Sequence, residues 1–477
     1  MNKKMKVLRN STLVMLLLAS VLMAGCKKEN NSSTSGNSNP NPAQDTPLSE
    51  NFLAEFECIH QLYPNADGSF FALADGEHTD FLLRLSSDGS VMSKKDLGFS
   101  SRRCMLNTGE HIFIIGNLDY TDTPYTMYKK GCVAVFDHSL NMVAILFLSE
   151  PQYKIDIYTI IQDSEDPSLF IVGGAAIDDS YLQYPYLCGV EFSNGTLTKL
   201  DNKILSEYEK HRIIGMVEKN LSGQKDLILE TVHYSVTYEP YDHSSSTIHI
   251  VKPNVFDEEW GWGHYTWDIT VEGPHGDSYT GNNSIDSDDE NIYFFGYCND
   301  EKEPISGDNG GYWISGCIAA VNWREGRETW KKVVSLSNKV DKFADGLVLD
   351  GNLYACGRHS QVYYRNSTKN WFSNGLVAKF NLSGELLSSK TFGDSEAYGE
   401  LLHLVKDSNG KLTCVGFSGE NLGNGALKYK SWFLKTDLSS NGSSKGTSAD
   451  TKDGGFENWD EESTGVPMDG EMRFGGI

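Results

Sequence analysis

Between Tyr234 and Asp286 the chain gathers Tyr234, Tyr238, Tyr241, Trp260, Trp262, Tyr265 and Trp267 among glycine, histidine and acids, as in Asp257-Glu258-Glu259-Trp260-Gly261-Trp262-Gly263-His264. Flat rings beside hydrogen-bonding groups suit the apolar face of a sugar ring or a protein partner, because an aromatic side chain couples a large contact area to few rotamers. Tyr238, Tyr241, Trp260, Trp262, Tyr265 and Trp267 are therefore the candidate ligand-binding residues. The plainer reading is that Trp260, Trp262 and Trp267 alternate along a strand and cover a sheet face. Function concentrates in loops carried by a rigid scaffold, which keeps the binding reading in view.

Other residues offer less chemistry. Asp286-Ser287-Asp288-Asp289-Glu290 and Asp163-Ser164-Glu165-Asp166 place several carboxylates at turns where oxygens could surround Ca²⁺. Neither follows the twelve-residue calcium loop with its closing bidentate Glu, so turn capping is the default role and no metal site is assigned. Eight cysteines follow Cys26, without a CxxC pair. Cys132, Cys188 and Cys317 open the same strand in three repeats, while Cys356 and Cys414 precede a glycine in two others, a pattern of small buried hydrophobes. There is no GxSxG, HExxH or Walker loop, and hence no catalytic residue to single out. The Asp boxes of sialidase propellers need Trp three residues after Gly, whereas Trp330 stands four after Gly326. A glycosidase-like pair drawn from the many carboxylates is the enzymatic alternative. With 41 Lys and Arg against 65 Asp and Glu, net −24, a basic stripe for phosphate backbones is absent and nucleic acid is excluded as a partner. Hydrophobic residues at 39% are ample for a folded core.

The N-terminus reads as an address. Lys3, Lys4, Lys6 and Arg9 precede the apolar run Leu13-Val14-Met15-Leu16-Leu17-Leu18-Ala19, which is shorter than the roughly 20 residues a membrane span needs. Leu22-Met23-Ala24-Gly25-Cys26 resembles the bacterial lipobox, which implies removal of residues 1–25 as a signal peptide and lipidation of Cys26. Residues 26–48 lack apolar periodicity and read as a flexible tether. Lys27-Lys28-Glu29 resembles the charged export signals of Bacteroidota surface lipoproteins, with one acid where those carry two or more. The expected location is the outer membrane, on its periplasmic or cell-surface face, with the lipid as the membrane contact.

The elements that would position any site come from a repeat. Phe70-Phe71-Ala72-Leu73-Ala74, His111-Ile112-Phe113-Ile114-Ile115-Gly116, Leu169-Phe170-Ile171-Val172-Gly173, Ile292-Tyr293-Phe294-Phe295-Gly296, Leu353-Tyr354-Ala355-Cys356-Gly357 and Leu412-Thr413-Cys414-Val415-Gly416 are short apolar strands closed by a small residue. Asp226-Leu227-Ile228-Leu229-Glu230-Thr231 keeps the apolar core without the glycine. Turns such as Asn65-Ala66-Asp67-Gly68 and Asp407-Ser408-Asn409-Gly410 supply the positive φ angles of hairpins. Four antiparallel strands per repeat predict an all-β fold over 49–442: a seven-bladed β-propeller of four-stranded antiparallel blades. Two β-sandwiches are the alternative. The last repeat lacks a clear fourth strand, and a spare strand precedes the first, so residues 49–56 are expected to complete the last blade and close the ring. Residues 443–477 are acidic and read as a mobile tail.

Ala319-Ala320-Val321-Asn322-Trp323-Arg324-Glu325-Gly326-Arg327-Glu328-Thr329-Trp330 resembles the repeat of quinoprotein-type propellers, with Gly326 followed four residues later by a docking Trp. Gly89 and Gly384 match the turn but lack that Trp, so the resemblance implies architecture and not quinone binding. The functional expectation is a non-enzymatic envelope lipoprotein that binds glycan or a protein partner, needing no cofactor; the alternative is a polysaccharide-degrading enzyme of glycosidase or lyase type.

Overall fold

A computed structural model describes residues 47–76, 79–123, 126–206, 209–221, 224–233, 246–251, 265–269, 285–300, 313–335, 341–365, 368–393, 398–421, 427–438 and 450–453. The described residues all fall within one compact unit, residues 44–477. The signal segment 1–25, Cys26 and the tether as far as residue 46 lie outside the described residues.

The fold is all-β, with no helix among the described residues. Sheet I comprises Cys58–Pro64, Phe70–Asp75, Asp80–Leu85 and Val91–Asp96. Sheet II comprises Ser100–Asn107, His111–Thr123, Thr126–Asp137 and Met142–Leu148. Sheet III comprises Lys154–Gln162, Leu169–Ile177, Gln183–Ser193 and Thr196–Ile204. Sheet IV comprises His211–Leu221, Gln224–His233, Ser246–Val251 and Tyr265–Ile269. Sheet V comprises Ile285–Ser287, Asn291–Asp300, Trp313–Asn322 and Arg327–Ser335, with Asp450–Asp453 added on its outer side. Sheet VI has eight strands in two groups. Asp341–Leu349, Asn352–Arg365, Thr368–Asn381 and Leu386–Phe392 make the first group; Tyr398–Lys406, Leu412–Asn421, Leu427–Thr436 and Ser49–Leu53 make the second. A single parallel bridge, Ser373 to Tyr398, joins the groups; all other pairings are antiparallel within them.

The apolar runs of the repeat are the second strands. Phe70 to Ala74 and Ile112 to Ile115 are buried at every position, so these strands are covered on both faces. That is why the sequence shows a continuous apolar run there and not an alternating one. Cores sit between successive sheets. Phe71 of sheet I packs with Ile114 of II, Phe113 of II stacks on Phe170 of III with centroids 4.0 Å apart, and Leu187 of III packs with Ile213 of IV. Ile228 of IV meets Phe294 of V, Phe295 of V meets Phe343 of VI, and Cys356 in the first group of VI meets Leu401 in the second. Phe433 of the second group then returns to Phe70 of sheet I, edge to face at 5.5 Å. A sandwich would leave each sheet one outer face; here sheets use both, as in a β-propeller.

Ser49–Leu53 pairs antiparallel with Leu427–Thr436, Phe52 opposite Trp432. Glu50 Oε1 accepts a 2.8 Å bond from Trp432 Nε1, Phe52 stacks on that indole at 6.0 Å, and Ser431 N donates to Phe56 O at 2.8 Å. The hairpin turns bear out their glycines: Gly68, Gly89, Gly384 and Gly410 have φ of 83°, 85°, 79° and 77°. Part of the segment read as a mobile tail is a strand. Asp450–Asp453 pairs along Arg327–Ser335 with Asp453 opposite Lys332, supplying partners to an otherwise open edge.

Candidate functional site

The first strand of most sheets carries an irregularity that explains the repeat's closing glycine. The register slips at Ile59/Gln61, Ser101/Cys104, Ile157/Thr159, Ile213/Gly215, Phe343/Asp345 and Leu401/His403. Each bulge bends the first strand and presses its carbonyls toward the second. A Cβ on Gly357 would overlap the Lys342 carbonyl oxygen and one on Gly416 that of Glu400; in the third repeat the overlap falls on Gly174, one past the closing Gly173, against the Asp156 carbonyl oxygen. Sheet IV reverses the arrangement. Its glycine is Gly215 on the first strand, where a Cβ would meet Glu230 Oε2 at 2.9 Å and Ile285 Cγ2 at 2.8 Å. The second strand of that repeat can therefore end in Glu230-Thr231.

Along the first strands runs a belt of buried and half-buried polar groups, tied from sheet to sheet. Gln61 Oε1 accepts from the Met105 amide, and Asn117 Nδ2 donates to Asp156, which also accepts a 2.8 Å bond from Tyr158 OH. The Arg212 guanidinium lies 5.2 Å from the Tyr158 ring centroid, and Lys219 Nζ donates to Asp288 O at 2.6 Å. Val348 N donates to Asp286 Oδ2 at 2.6 Å. His403 Nδ1 lies 2.6 Å from Asp345 Oδ2 and its Nε2 3.1 Å from Leu62 O, so one imidazole spans both groups of sheet VI and sheet I. Burial pushes the Asp345 carboxyl above the usual carboxylate range, against the pull of His403 and the amide of Leu404. Burial does the same to Asp286, opposed by the amides of Val348 and Ser287. The densest part of the belt is in sheet VI. Arg358 Nη1 donates to Tyr398 OH at 2.6 Å and lies 3.4 Å from Glu400, Lys342 Nζ lies 3.6 Å from Glu400, and His359 Nδ1 lies 2.6 Å from Asp341.

These ties are structural, because a buried polar group costs stability once its partner is lost. Asp345→Ala should therefore destabilise the protein by about 3–5 kcal/mol, the range for stranding one member of a buried pair. Thermal and denaturant unfolding would register it; a change below about 0.5 kcal/mol, the ordinary surface value, would contradict the role.

Of the residues singled out by sequence, Tyr238, Tyr241, Trp260 and Trp262 lie outside the described residues. Tyr265 and Trp267 fall on the fourth strand of sheet IV, opposite Val251 and Ile250. The acidic turns cap themselves. Asp163 Oδ1 accepts from the amides of Glu165 and Asp166, both at 2.8 Å; Asp288 Oδ1 accepts from Glu290 and Asn291, and its Oδ2 from Tyr293 OH. Cys132, Cys188, Cys317, Cys356 and Cys414 are buried, as their pattern implies, and so are Cys58 and Cys104; burial raises the Cys132 thiol to about 12. The polar belt escaped the sequence reading. Its trace is there in Asp156, Arg212, Lys342 and Glu400, each interrupting an otherwise apolar first strand.

No family model matches the chain, and no curated protein matches it. Solved structures do. The β-propeller domain of the trilobed protease from Pyrococcus furiosus is similar at 10% identity and a TM-score of 0.38, covering 81% of this chain and 99% of that one. The plexin A4 extracellular region is similar at 9% identity and 0.41, over 81% of this chain and 47% of that one. The Trypanosoma rangeli sialidase in complex with the inhibitor DANA is similar at 9% identity and 0.35, over 82% and 60%. At such scores the propeller class rests on the sheets and interfaces described above.

Proposed function

We propose that the chain is a seven-bladed β-propeller whose ring is closed by Ser49–Leu53, exported and held in the outer membrane by a lipid on Cys26, and that it acts as a non-enzymatic binding or scaffold module. Seven four-strand groups, the return of Phe433 to Phe70 and the pairing of Ser49–Leu53 support the closed ring. The observation that carries the binding reading is the engagement of the first-strand acids. Asp156, Glu218, Asp286, Asp341, Asp345 and Glu400 are each held by a side chain or amide of the scaffold. Carboxylates so committed serve the ring, in contrast to a hydrolytic pair that must face a substrate and a water. The ligand is a glycan or an envelope protein, met through Trp260, Trp262, Tyr265, Trp267, Tyr238 and Tyr241.

Glycan arrays and pull-downs from envelope extracts, run with the protein and its Trp260→Ala/Trp262→Ala/Trp267→Ala variant, test the site. A partner whose binding falls at least about tenfold in the variant is expected, a loss of about 1.4 kcal/mol. Undiminished binding removes the site, and release of new reducing ends from a polysaccharide overturns the non-enzymatic reading. Palmitate labelling that is lost in Cys26→Ser is the matching expectation for the anchor.

A further inference from the structure

The outer strand of each sheet leaves one edge of backbone donors and acceptors open to pairing, and charges on such strands discourage unwanted partners. Val91–Asp96 carries Lys94 and Lys95, Thr196–Ile204 carries Lys199 and Lys203, Tyr265–Ile269 carries Asp268, Leu386–Phe392 carries Lys390 and Ser49–Leu53 carries Glu50. Arg327–Ser335 carries Lys331 and Lys332 and is covered by Asp450–Asp453. Met142–Leu148, the outer strand of sheet II, breaks the pattern. Its sequence Met-Val-Ala-Ile-Leu-Phe-Leu has no charge and no proline, and no described strand pairs with its outer side. Ala144, Leu146 and Leu148 pack into the core shared with sheet III. Met142, Val143, Ile145 and Phe147 stay 41%, 39%, 37% and 44% exposed.

We propose that this strand docks a second copy of the protein, edge to edge and antiparallel, about a two-fold axis through Ile145. The strand is self-complementary in that register. Ile145 faces its own copy, Val143 faces Phe147 and Met142 faces Leu148, so the exposed apolar stripes of the two copies merge into one. A symmetric pair needs the same patch on both partners, and this one supplies it. Charge selects the same solution. The chain carries −24 overall, yet in this register Asn141 meets Ser149 and Leu140 meets Glu150, so no like charges oppose. Centred edge pairing through Val91–Asp96 would instead set Lys94 opposite Ser93, one ladder position from the other copy's Lys94. Strand addition at an outer edge already occurs in this fold, where Asp450–Asp453 joins sheet V. Two seven-residue strands bury less than the roughly 800 Å² per partner of a standard interface, so the dimer is weak and reversible.

Sedimentation of the purified protein from about 1 to about 100 µM is expected to show mass rising toward the dimer, as for micromolar affinity. Ile145→Lys should stay monomeric over that range with an unchanged melting curve. Register is read by oxidative cross-linking: Val143→Cys mixed with Phe147→Cys should give about tenfold more dimer than either alone, because only the mixed pair lies directly opposed. Ile145→Cys should cross-link to itself, with the parent protein as the background for native cysteines. A protein monomeric at every concentration, a dimer indifferent to Ile145→Lys, or cross-links without register preference would each overturn the proposal. A monomer whose strand instead captures a defined heterologous β-strand would overturn the choice of occupant.

Discussion

Deleting residues 47–56 is expected to destabilise the protein by about 5 kcal/mol or more, judged from the loss of a buried phenylalanine alone at about 3–5 kcal/mol. For a chain of this size, with about 2 cal/mol/K of unfolding entropy per residue, that corresponds to a fall of about 5 °C or more in melting temperature. The deletion removes Phe56, 1% exposed in the core between sheet I and the second group of sheet VI, along with the Glu50 bond and the Phe52 stack on Trp432. It also turns Leu427–Thr436 into an open edge, so the truncated protein should aggregate at concentrations the parent tolerates. Deleting 454–477 is the control and should leave the melting temperature within about 2 °C, a surface-sized effect. Equal melting curves for parent and the 47–56 deletion would mean that the first strand holds nothing closed.

The second large effect concerns the closing glycines. Gly357→Ala and Gly416→Ala each put a methyl group onto a carbonyl oxygen of a first strand, Lys342 and Glu400 respectively. Neither carbonyl can retreat freely, because the bulge that presents it is fixed by the adjoining ladder. Each substitution should cost about 3 kcal/mol, the upper part of the overpacking range. Gly109 is the comparison: its φ is +89° but nothing lies within 4 Å of an added Cβ, so Gly109→Ala should cost only the left-handed backbone term of about 1–2 kcal/mol. Denaturant melts of the three variants separate a steric need for glycine from a conformational one. Equal costs would remove the bulge as the reason for the repeat's glycine.

Much of this architecture is written locally. Phe70 to Ala74 reads as a strand because five consecutive apolar residues suit a strand covered on both faces, and Asp67-Gly68 or Asn409-Gly410 mark turns because a positive φ leaves few choices. The pairing of Ser49–Leu53 follows from a strand missing at one end and spare at the other. The polar belt is different, since its partners lie one repeat apart: Asp345 and His403 are separated by 58 positions, Asn117 and Asp156 by 39. No local pattern records such a match. Asp450–Asp453 gave no signal because edge addition is made by backbone groups, and Asp-Thr-Lys-Asp has no apolar alternation.

Hydrogen exchange at the amides of Ser49–Leu53 in the purified protein addresses the joined ends most directly. Slow exchange, with opening shared by these amides and those of Leu427–Thr436, is the expected result. Exchange at the unprotected rate in Ser49–Leu53, while Leu427–Thr436 stays protected, would contradict a ring zipped by its own first strand.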